Sequence, residues 1–491
     1  MNPSPNFTVT ALLTLLLTLA GCTVGPNFRR PSAAMPPAFK EQPPVNFKEA
    51  EAAGWKQSQP GDAYSKGRWW ELYDDPDLNA LEEQVSVSNQ NVLQAEAQYR
   101  QAKAAVSIAR AALFPIATTS PSITNAGAGT TAVSSSGSSG TTFSLPFNVS
   151  WEPDLWGNIR RGVTASAATA QSLAANVGNA RLLYQAELAE DYFSLHGTDG
   201  EAELLTRTEA SYQEYLTLTH NRFTSGIASD LDIAQAETQL YAVQAQLMDL
   251  GVQRAAFEHA IAILIGKAPA ELAIPAVALK NSPPPVPLGV PSELLERRPD
   301  IASAERLVAA ANEQIGIAMA AFYPNLSLTG SAGLESSSLA KWFTWPNRFW
   351  SVGPQLAETL FDAGRRRGVV AEQRAAYDAT VAGYRETVLI AMQQVEDNLA
   401  ALRILAGEAD KVQQTVQAAN RALDISSAQY RAGTADYLTV IVSQAAVLNA
   451  EVTAVTLLTR RLTASVLLIQ ALGGGWNASQ LPTKQNVISR R

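Results

Sequence analysis

The sequence predicts an α+β membrane protein that contains two copies of one structural unit. Three observations support this fold class: motifs that recur at a constant spacing, long proline-free helical segments, and short runs in which polar and apolar residues alternate. Both copies of a duplicated unit need equivalent surroundings, and a symmetric or pseudo-symmetric assembly provides them. The sequence therefore indicates that the function belongs to an assembly.

The repeat is visible as pairs of matching motifs. Gly226 corresponds to Gly433 at an offset of 207 positions (433 − 226). Upstream, Ala-Leu-Phe-Pro at 112–115 returns as Ala-Phe-Tyr-Pro at 321–324, an offset of 209 (321 − 112). A nearly constant offset over this length indicates duplication of a unit of roughly 200 residues.

The composition excludes several classes of function. The chain has 37 Lys and Arg residues against 45 Asp and Glu, a net charge of −8, so it lacks the basic face that nucleic acid binding requires. Its three histidines and one cysteine have no metal-ligand spacing, and neither a nucleophile motif nor a phosphate-binding loop is present. We expect no catalytic residues, no metal site and no cofactor other than covalently attached lipid.

Residues 1–21 are predicted to be a signal peptide. Their apolar run at 11–19 is shorter than the roughly twenty residues that span a bilayer. The run ends in Leu-Ala-Gly-Cys, which resembles a bacterial lipobox. We expect Cys22 to carry a diacylglycerol and an N-acyl chain, the alternative being a buried structural thiol. Thr23 occupies the position where Asp would signal inner-membrane retention in such lipoproteins, which favours the outer membrane.

Composition divides the mature chain into five segments. The stretch at 78–113 has no Gly or Pro inside it and predicts the first helix. Each copy is expected to contain, in order, a helix, two strands, a long helix, a hairpin turn and a helix. The predicted segments are a lipidated N-terminal periplasmic arm (22–77), repeat 1 (78–268), a proline-rich linker (269–291), repeat 2 (292–475) and a loose C-terminal tail (476–491).

The long helices are predicted from proline-free segments at 160–223 and 366–430. About 64 residues at roughly 1.5 Å each would make a helix nearly 100 Å long. We expect Gly197, Gly200 and Gly407 to mark a bend or a local break in these helices.

Alternation of polar and apolar residues predicts the strands. Runs of about ten residues fit tilted transmembrane β-strands, although the edge strand of a soluble sandwich has the same pattern. The predicted strands are about 116–126 and 141–151 in copy one and about 325–334 and 348–358 in copy two. The predicted lipid-facing residues are Phe143, Leu145, Phe147, Val149 and Trp151.

Four strands per chain are too few to close a barrel. An open sheet in lipid leaves backbone groups unpaired at its edges, each at a cost of several kcal/mol. Known bacterial membrane barrels start at about eight strands, so at least two chains are required, and three chains give twelve.

Six motifs spread over the mature chain carry a family resemblance. They are Cys22-Thr23-Val24-Gly25-Pro26, Trp151-Glu152-Pro153-Asp154-Leu155-Trp156-Gly157, Glu296-Arg297-Arg298-Pro299-Asp300-Ile301, Ala321-Phe322-Tyr323-Pro324-Asn325-Leu326, Tyr430-Arg431-Ala432-Gly433 and Ala471-Leu472-Gly473-Gly474-Gly475-Trp476. In combination they resemble the TolC-like outer membrane factors, in the lipidated OprM/NodT branch of efflux ducts.

The resemblance implies a TolC-like homotrimer with a 12-stranded transmembrane β-barrel in the outer membrane of a Gram-negative bacterium, continued by a long periplasmic α-helical barrel. It implies a passive exit duct of a tripartite efflux pump for drugs or other small molecules, without enzymatic activity. The implied partners are a periplasmic membrane fusion adaptor, an inner-membrane transporter of the resistance-nodulation-division type, and outer membrane lipid. A duct for type I protein secretion and a non-channel helical tether lipoprotein remain alternatives.

Both hairpin turns are candidate docking sites. Glycine permits a left-handed helix end and Ser or Asp caps the next helix, so the turns also suit plain helix hairpins. The resemblance implies that they form the periplasmic tips that dock the adaptor. The candidate residues are Gly226, Ile227, Ala228, Ser229 and Asp230 in copy one, and Gly433, Thr434, Ala435 and Asp436 in copy two.

The resemblance also implies a periplasmic aperture just after the second turn, where the family has a leucine and, one turn later, an aspartate. Leu438 matches the leucine, whereas Val442 occupies the position of the acid. We therefore expect an apolar constriction, held by packing and dewetting, in place of an acidic ring.

Overall fold

The computed structural model describes residues 23–33, 35–41, 67–127, 140–279, 282–286 and 291–489. The predicted signal peptide and Cys22 lie outside these residues, as do much of the N-terminal arm and part of the linker.

The described chain contains two long helical hairpins and one sheet. The elements in chain order are α1 (Pro76–Ser88), α2 (Gln90–Ala111), β1 (Ile116–Thr119), β2 (Ser122–Ala126), β3 (Gly140–Trp151), α3 (Asn158–Thr224), α4 (Asp230–Leu264), α5 (Leu294–Arg297), α6 (Pro299–Ala320), β4 (Asn325–Ser336), β5 (Arg348–Ala357), α7 (Arg365–Arg431), α8 (Tyr437–Ala471) and α9 (Lys484–Ile488).

The two hairpins correspond without a gap. Helices α3 and α7 each have 67 residues, and α4 and α8 each have 35. Their first residues differ by 207 positions in both cases (365 − 158 and 437 − 230). One offset therefore relates every residue of the first hairpin to a residue of the second.

The long helices are unbroken at their glycines. The local break predicted at Gly197, Gly200 and Gly407 is wrong, because α3 and α7 continue through these positions. A Cβ added to Gly197 would lie 3.3 Å from the Cβ of Thr459 in α8. This glycine therefore permits close packing of two helices.

The helix predicted at 78–113 is divided into α1 and α2 at Asn89. The side chain of Asn89 is buried, its Oδ1 caps α2, and its Nδ2 donates to the carbonyl of Leu264 at 2.8 Å. Copy two has the equivalent junction between α5 and α6, where Nη1 of Arg298 donates to the carbonyl of Ala471 at 2.9 Å. Arg298 follows Asn89 by the upstream offset of 209 (298 − 89), so two different side chains make corresponding ties.

A glycine follows the second helix of each hairpin. Gly266 and Gly473 have positive φ angles of +72° and +96°. A Cβ added to Gly266 would lie 2.9 Å from the carbonyl carbon of Ser88, and one added to Gly473 would lie 2.8 Å from that of Arg297. Only glycine fits at either position, so the two copies share a close backbone contact.

The described part of the linker is held against α3 and α4 by a charged cluster. Asp199 accepts from Nε of Arg254 at 2.7 Å and from the backbone N of Val277 at 3.1 Å. Nδ1 of His196 lies 3.0 Å from Oδ2 of Asp199 and 2.8 Å from the carbonyl oxygen of Val277. Burial alone would raise the pKa of Asp199, but the hydrogen bonds from His196, Arg254 and Val277 outweigh it and lower that pKa.

The described part of the N-terminal arm is bound along the chain. Its backbone N at Val24 donates to the carbonyl of Trp156 at 3.1 Å, just before α3. Further along, the carboxylate of Glu396 in α7 accepts from the backbone N of Lys40 at 2.7 Å and of Glu41 at 2.9 Å. The arm therefore connects the start of α3 to the middle of α7.

The C-terminal segment is docked, so the prediction of a loose tail is wrong. Val487 in α9 is 2% exposed and packs against side chains of α2 and α3. Nη1 of Arg110 donates to the carbonyl of Ile488 at 3.0 Å, and Nζ of Lys484 donates to Oγ1 of Thr164 at 2.9 Å.

One carboxyl group is buried without a partner. Glu82 in α1 is 0% exposed, and neither carboxylate oxygen has a hydrogen-bond partner among the described residues. It lies on the face of α1 that also buries Leu78 and Val85. Burial raises the pKa of Glu82 well above its ordinary value.

Candidate functional site: the membrane sheet and the helix tips

The sheet is an antiparallel ribbon in the order β1 and β2, β3, β4, β5. The strand predicted at about 116–126 is divided into β1 and β2, because Pro121 has no N–H to continue the ladder. Both pieces pair with β3 in one continuous register, so together they occupy one strand position. The other three strands lie within one or two residues of the bounds 141–151, 325–334 and 348–358.

One face of the ribbon is apolar across β3, β4 and β5. The register sets Leu145 opposite Leu334 and Gly330 opposite Val352. In the chain, Val352 is 74% exposed. The apolar residues of this face are Phe143, Leu145, Phe147, Val149 and Trp151 in β3, Leu326, Leu328, Gly330, Ala332 and Leu334 in β4, and Trp350, Val352, Pro354 and Leu356 in β5. The five candidate lipid-facing residues therefore belong to one continuous surface.

The opposite face is mostly polar. There, Oγ of Ser331 donates to Oδ1 of Asn148 across β3 and β4 at 2.8 Å. A sheet with one apolar and one polar face suits a wall between lipid and water.

The ribbon has an unpaired edge on each side within the described chain. β5 pairs only with β4, and β1 and β2 pair only with β3. Unpaired backbone groups in lipid cost several kcal/mol each. One chain therefore cannot complete this sheet in a membrane.

The helices meet the sheet at one end. Ile116 at the start of β1 pairs with Ser150 near the end of β3, and Asn325 at the start of β4 pairs with Ala357 at the end of β5. Helices α2 and α6 precede these strand starts, and α3 and α7 follow these strand ends. The hairpins therefore extend from one rim of the ribbon.

A carboxylate fixes each passage from strand to long helix. Asp154 accepts from the backbone N of Arg160 at 2.8 Å and from its Nε at 3.0 Å. Asp362 accepts from Nε of Arg366 at 2.7 Å. The two arginines of these junctions are thus used in ion pairs inside the chain.

The hairpin turns are at the far ends of α3 and α7, about 100 Å along the helices at roughly 1.5 Å per residue. Gly226 and Gly433 have φ angles of +74° and +77°. Ser229 caps α4 through a capping box, and Asp436 caps α8 by accepting from the backbone N of Thr439 at 3.1 Å. These contacts account for the geometry of the turns, and adaptor docking at the tips stays a prediction.

The two tips of one chain are held side by side. Nη2 of Arg222 donates to the carbonyl of Tyr430 at 2.8 Å, and its guanidinium lies 4.2 Å from the centroid of the Tyr430 ring. The hydroxyl of Tyr215 donates to Oγ of Ser427 at 2.7 Å. The buried tyrosines of this cluster are Tyr212, Tyr215, Tyr430 and Tyr437. The only sequence signal for this cluster is the presence of aromatic residues close to both turns, and it did not predict that they pack together.

The two candidate aperture residues share one face of α8. Leu438 is 52% exposed and Val442, one turn later, is 61% exposed. On the other side of the same turns, Tyr437 and Val440 are buried. The pair therefore forms a small apolar surface beside the second tip.

The whole architecture has solved counterparts. The chain is similar to the outer membrane channel OprN with a TM-score of 0.83 and 28% identity, covering 93% of this chain and 100% of OprN. The amphipathic ribbon and long hairpins thus define the class of the molecule: it has the TolC-like fold of outer membrane channels.

The chain also matches the family described as "Outer membrane efflux protein" at residues 81–267 and 290–474, and it belongs to that family. The two matched segments fall on the two copies of the repeat. Members of this family are transport ducts and not enzymes.

The chain is similar in sequence to outer membrane proteins over nearly its full length. The chain is 32% identical over 491 aligned residues to the outer membrane protein OprJ of Pseudomonas aeruginosa, which covers 96% of this chain and 97% of OprJ. It is 30% identical over 476 residues to the toluene efflux pump outer membrane protein TtgC of Pseudomonas putida, with 95% and 96% covered. The protein is therefore an outer membrane channel component of an efflux pump, and the tether and type I secretion alternatives have no support among these relatives.

Proposed function

We propose that three copies of this chain form one passive exit duct. The observation that carries the proposal is the ribbon of four strand positions, with an apolar face and two unpaired edges. Three such ribbons give a closed barrel of twelve strands in which every edge is paired. The hairpins extend from one rim of each ribbon, so they would continue the barrel as a periplasmic tube.

The tips are the proposed docking sites for a periplasmic membrane fusion adaptor. Ile227 in the first turn is 72% exposed, and the helix that follows each turn is capped by a side chain of that turn, Ser229 or Asp436. Three chains would present six tips in a ring. An inner-membrane transporter, of the resistance-nodulation-division type that the family resemblance implies, would supply the energy.

The proposed constriction is the apolar pair Leu438 and Val442. In a trimer these residues would form two stacked rings beside the tips. A ring of apolar side chains closes a narrow pore to water and ions by dewetting.

The proposed lipid anchor is Cys22, which precedes the first described residue. The contact between Val24 and Trp156 holds the arm at the rim of the sheet, where the inner surface of the membrane would lie. Nε of Arg161 also donates to the carbonyl of Val24 at 2.7 Å. Acyl chains on Cys22 would therefore enter the same membrane as the barrel.

The proposed cargo is a class of drugs and other small molecules. The printed name of TtgC specifies toluene for that relative. By similarity, apolar small molecules are the proposed cargo here, with selection made by the transporter and not by the duct.

The test is reconstitution of transport and conductance. We expect the chain to restore drug and solvent resistance to a Gram-negative strain that lacks its own outer membrane duct but retains adaptor and transporter. We also expect purified protein to conduct ions in planar bilayers. Protein that folds in the outer membrane but neither conducts nor restores resistance would contradict the proposal.

A further inference from the structure

We infer that the seam between subunits pairs α7 of one chain with α4 of the next in a fixed register, with Ile404 against Val252 and Gly407 against Met248. This inference rests on the proposed trimer and adds the residues that meet. A second copy of this chain is therefore the partner that covers the outer face of α4.

The template for this register lies inside the chain, where α8 of copy two packs on α3 of copy one. A Cβ added to Gly197 of α3 would lie 3.3 Å from the Cβ of Thr459 in α8. One turn later, a Cβ added to Gly200 would lie 3.5 Å from Cγ1 of Val455. Copy one and copy two are thus joined by a close helix contact at two glycines.

The internal repeat transfers this contact to the subunit boundary. In a ring of six units, copy two of one chain meets copy one of the next through α7 and α4, which correspond to α3 and α8. The offset of 207 carries Gly197 to Ile404 and Gly200 to Gly407 (404 − 197 and 407 − 200).

The same subtraction applies to the other helix. Thr459 corresponds to Val252 and Val455 to Met248 (459 − 252 and 455 − 248). Because both hairpins have equal helix lengths, no gap can shift this correspondence.

The residues so identified are uncovered in the single chain. Val252 is 69% exposed, Met248 is 77% exposed and Ile404 is 58% exposed. Their counterparts Thr459 and Val455 are only partly exposed, because α3 covers them. Large apolar side chains left uncovered along a helix mark a surface that packs against another protein.

The side-chain volumes at the seam are complementary. Ile404 occupies the place of Gly197, so the close approach at that point is lost and two apolar side chains meet. Gly407 remains small, and a Cβ added to it finds nothing within 4 Å in the single chain. It can therefore receive Met248, which is larger than the Val455 that lies over Gly200.

A disulfide between Val252→Cys and Ile404→Cys tests the register. At the equivalent internal position, a Cβ built on Gly197 lies 3.3 Å from the Cβ of Thr459. The seam is wider than this internal contact, which brings the separation of the two Cβ atoms towards the roughly 3.5–4.5 Å of a disulfide. We expect the full-length double variant, purified in detergent and oxidised with copper-phenanthroline, to run as a covalent trimer on non-reducing gels. Reductant should return it to the monomer position.

Three variants control this experiment. Each single substitution reports any disulfide made by Cys22, which is the one cysteine of the natural sequence. The pair Val252→Cys and Leu389→Cys moves the second thiol 15 positions along α7 (404 − 389), about 22 Å at roughly 1.5 Å per residue. All three should remain uncrosslinked.

Substitution of Gly407 gives a second, independent readout. In the single chain a larger side chain at 407 meets open space, so a role confined to one chain predicts no loss of stability. At the seam, Gly407→Trp would overpack Met248, whereas Gly407→Ala fits as ordinary contact. We expect the Trp variant to dissociate at a temperature at least about 5 °C lower than the Ala variant.

The outcomes separate the register from the trimer. Light scattering that finds a trimer, with no disulfide at 252 and 404 or an equal yield from the displaced pair, overturns the register alone. Light scattering that finds only monomer overturns both the register and the proposed duct.

Discussion

Two glycines with nearly the same backbone angle carry different constraints. Gly226 has φ +74° and nothing within 4 Å of an added Cβ, whereas Gly266 has φ +72° and the carbonyl group of Ser88 in the way. We expect Gly226→Ala to cost about 1 kcal/mol from backbone strain alone. Gly266→Ala should cost about 2 kcal/mol more, because the backbone of α1 must move.

Thermal unfolding of the two purified variants measures this difference. Gly226→Ala serves as the control for the positive φ angle. Equal losses of unfolding temperature in the two variants would show that the contact with Ser88 contributes nothing.

Glu82 is a buried carboxyl that opposes folding at neutral pH. Its folded-state pKa lies above the ordinary 4.5, so folding takes up a proton and stability falls as pH rises from about 4.5 towards the folded pKa. We expect Glu82→Gln to raise the unfolding temperature at pH 7 and to lose this advantage near pH 4. Calorimetry at several pH values measures the effect.

Glu203→Gln, at an exposed position of α3, controls for the loss of one negative charge. A gain for Glu82→Gln that is the same at every pH would contradict the explanation by proton uptake.

At the residue scale, the sequence predicts helix ends and caps, because these depend on residues close together in the chain. Gly226, Ser229 and Asp436 follow the rules for helix ends and caps, and the structure uses them in those roles. Asn89 and Arg298 stand at the upstream offset of 209, but they perform one task with unrelated side chains, so residue type does not show that they are equivalent. Their equivalence depends on the carbonyl groups they reach, which are far away in sequence.

At the scale of elements, the two faces of β3 make opposite predictions. Phe147 is on the apolar face and Asn148 on the polar face at nearly the same depth. Phe147→Arg should cost about 2–4 kcal/mol per chain if its face contacts lipid. Asn148→Arg should cost less, because its face would contact water.

The fraction of heat-modifiable, folded barrel in outer membrane preparations measures this difference. Equal folding of the two arginine variants would contradict the assignment of the apolar face to lipid. The soluble-sandwich interpretation predicts that neither variant associates with the membrane.

Strands were predictable because period-two alternation is set by the side chains themselves, and the break at Pro121 follows from one missing N–H. The continuity of the long helices through their glycines could not be predicted from sequence. By local sequence rules, Gly197 predicts a break in the helix. In the structure a glycine is needed there because Thr459 of another helix packs against it, which no local pattern reveals. The docking of α9 by Val487 escaped prediction for the same reason.

At the scale of the whole molecule, each ring of the proposed aperture would combine one position from each chain of the trimer. Val442→Asp would place three carboxylates in one ring, where they would attract cations and hydrate the constriction. We expect a severalfold rise in cation preference and a higher closed-state leak. Single-channel recording in planar bilayers measures both.

Gln235 is the matched control, because it corresponds to Val442 in copy one (442 − 207). Gln235→Asp should change conductance less, since an amide already makes that position polar. Unchanged leak and cation preference in Val442→Asp would remove the hypothesis of an apolar constriction.

The need for more than one chain could be predicted from sequence through a count of strands and the cost of open edges in lipid. The path of the N-terminal arm along the chain could not be predicted from sequence. The carboxylate of Glu396 and the carbonyl of Trp156 bind backbone groups of the arm, whose positions no side-chain pattern encodes.

The gapless correspondence of the two helical hairpins has an evolutionary consequence. Since one gene encodes both units, each codon would be used three times around the proposed trimeric ring and the corresponding codon of the other unit three times more. A single codon change at Val442 would therefore alter three positions of that ring and leave the three positions of Gln235 unchanged.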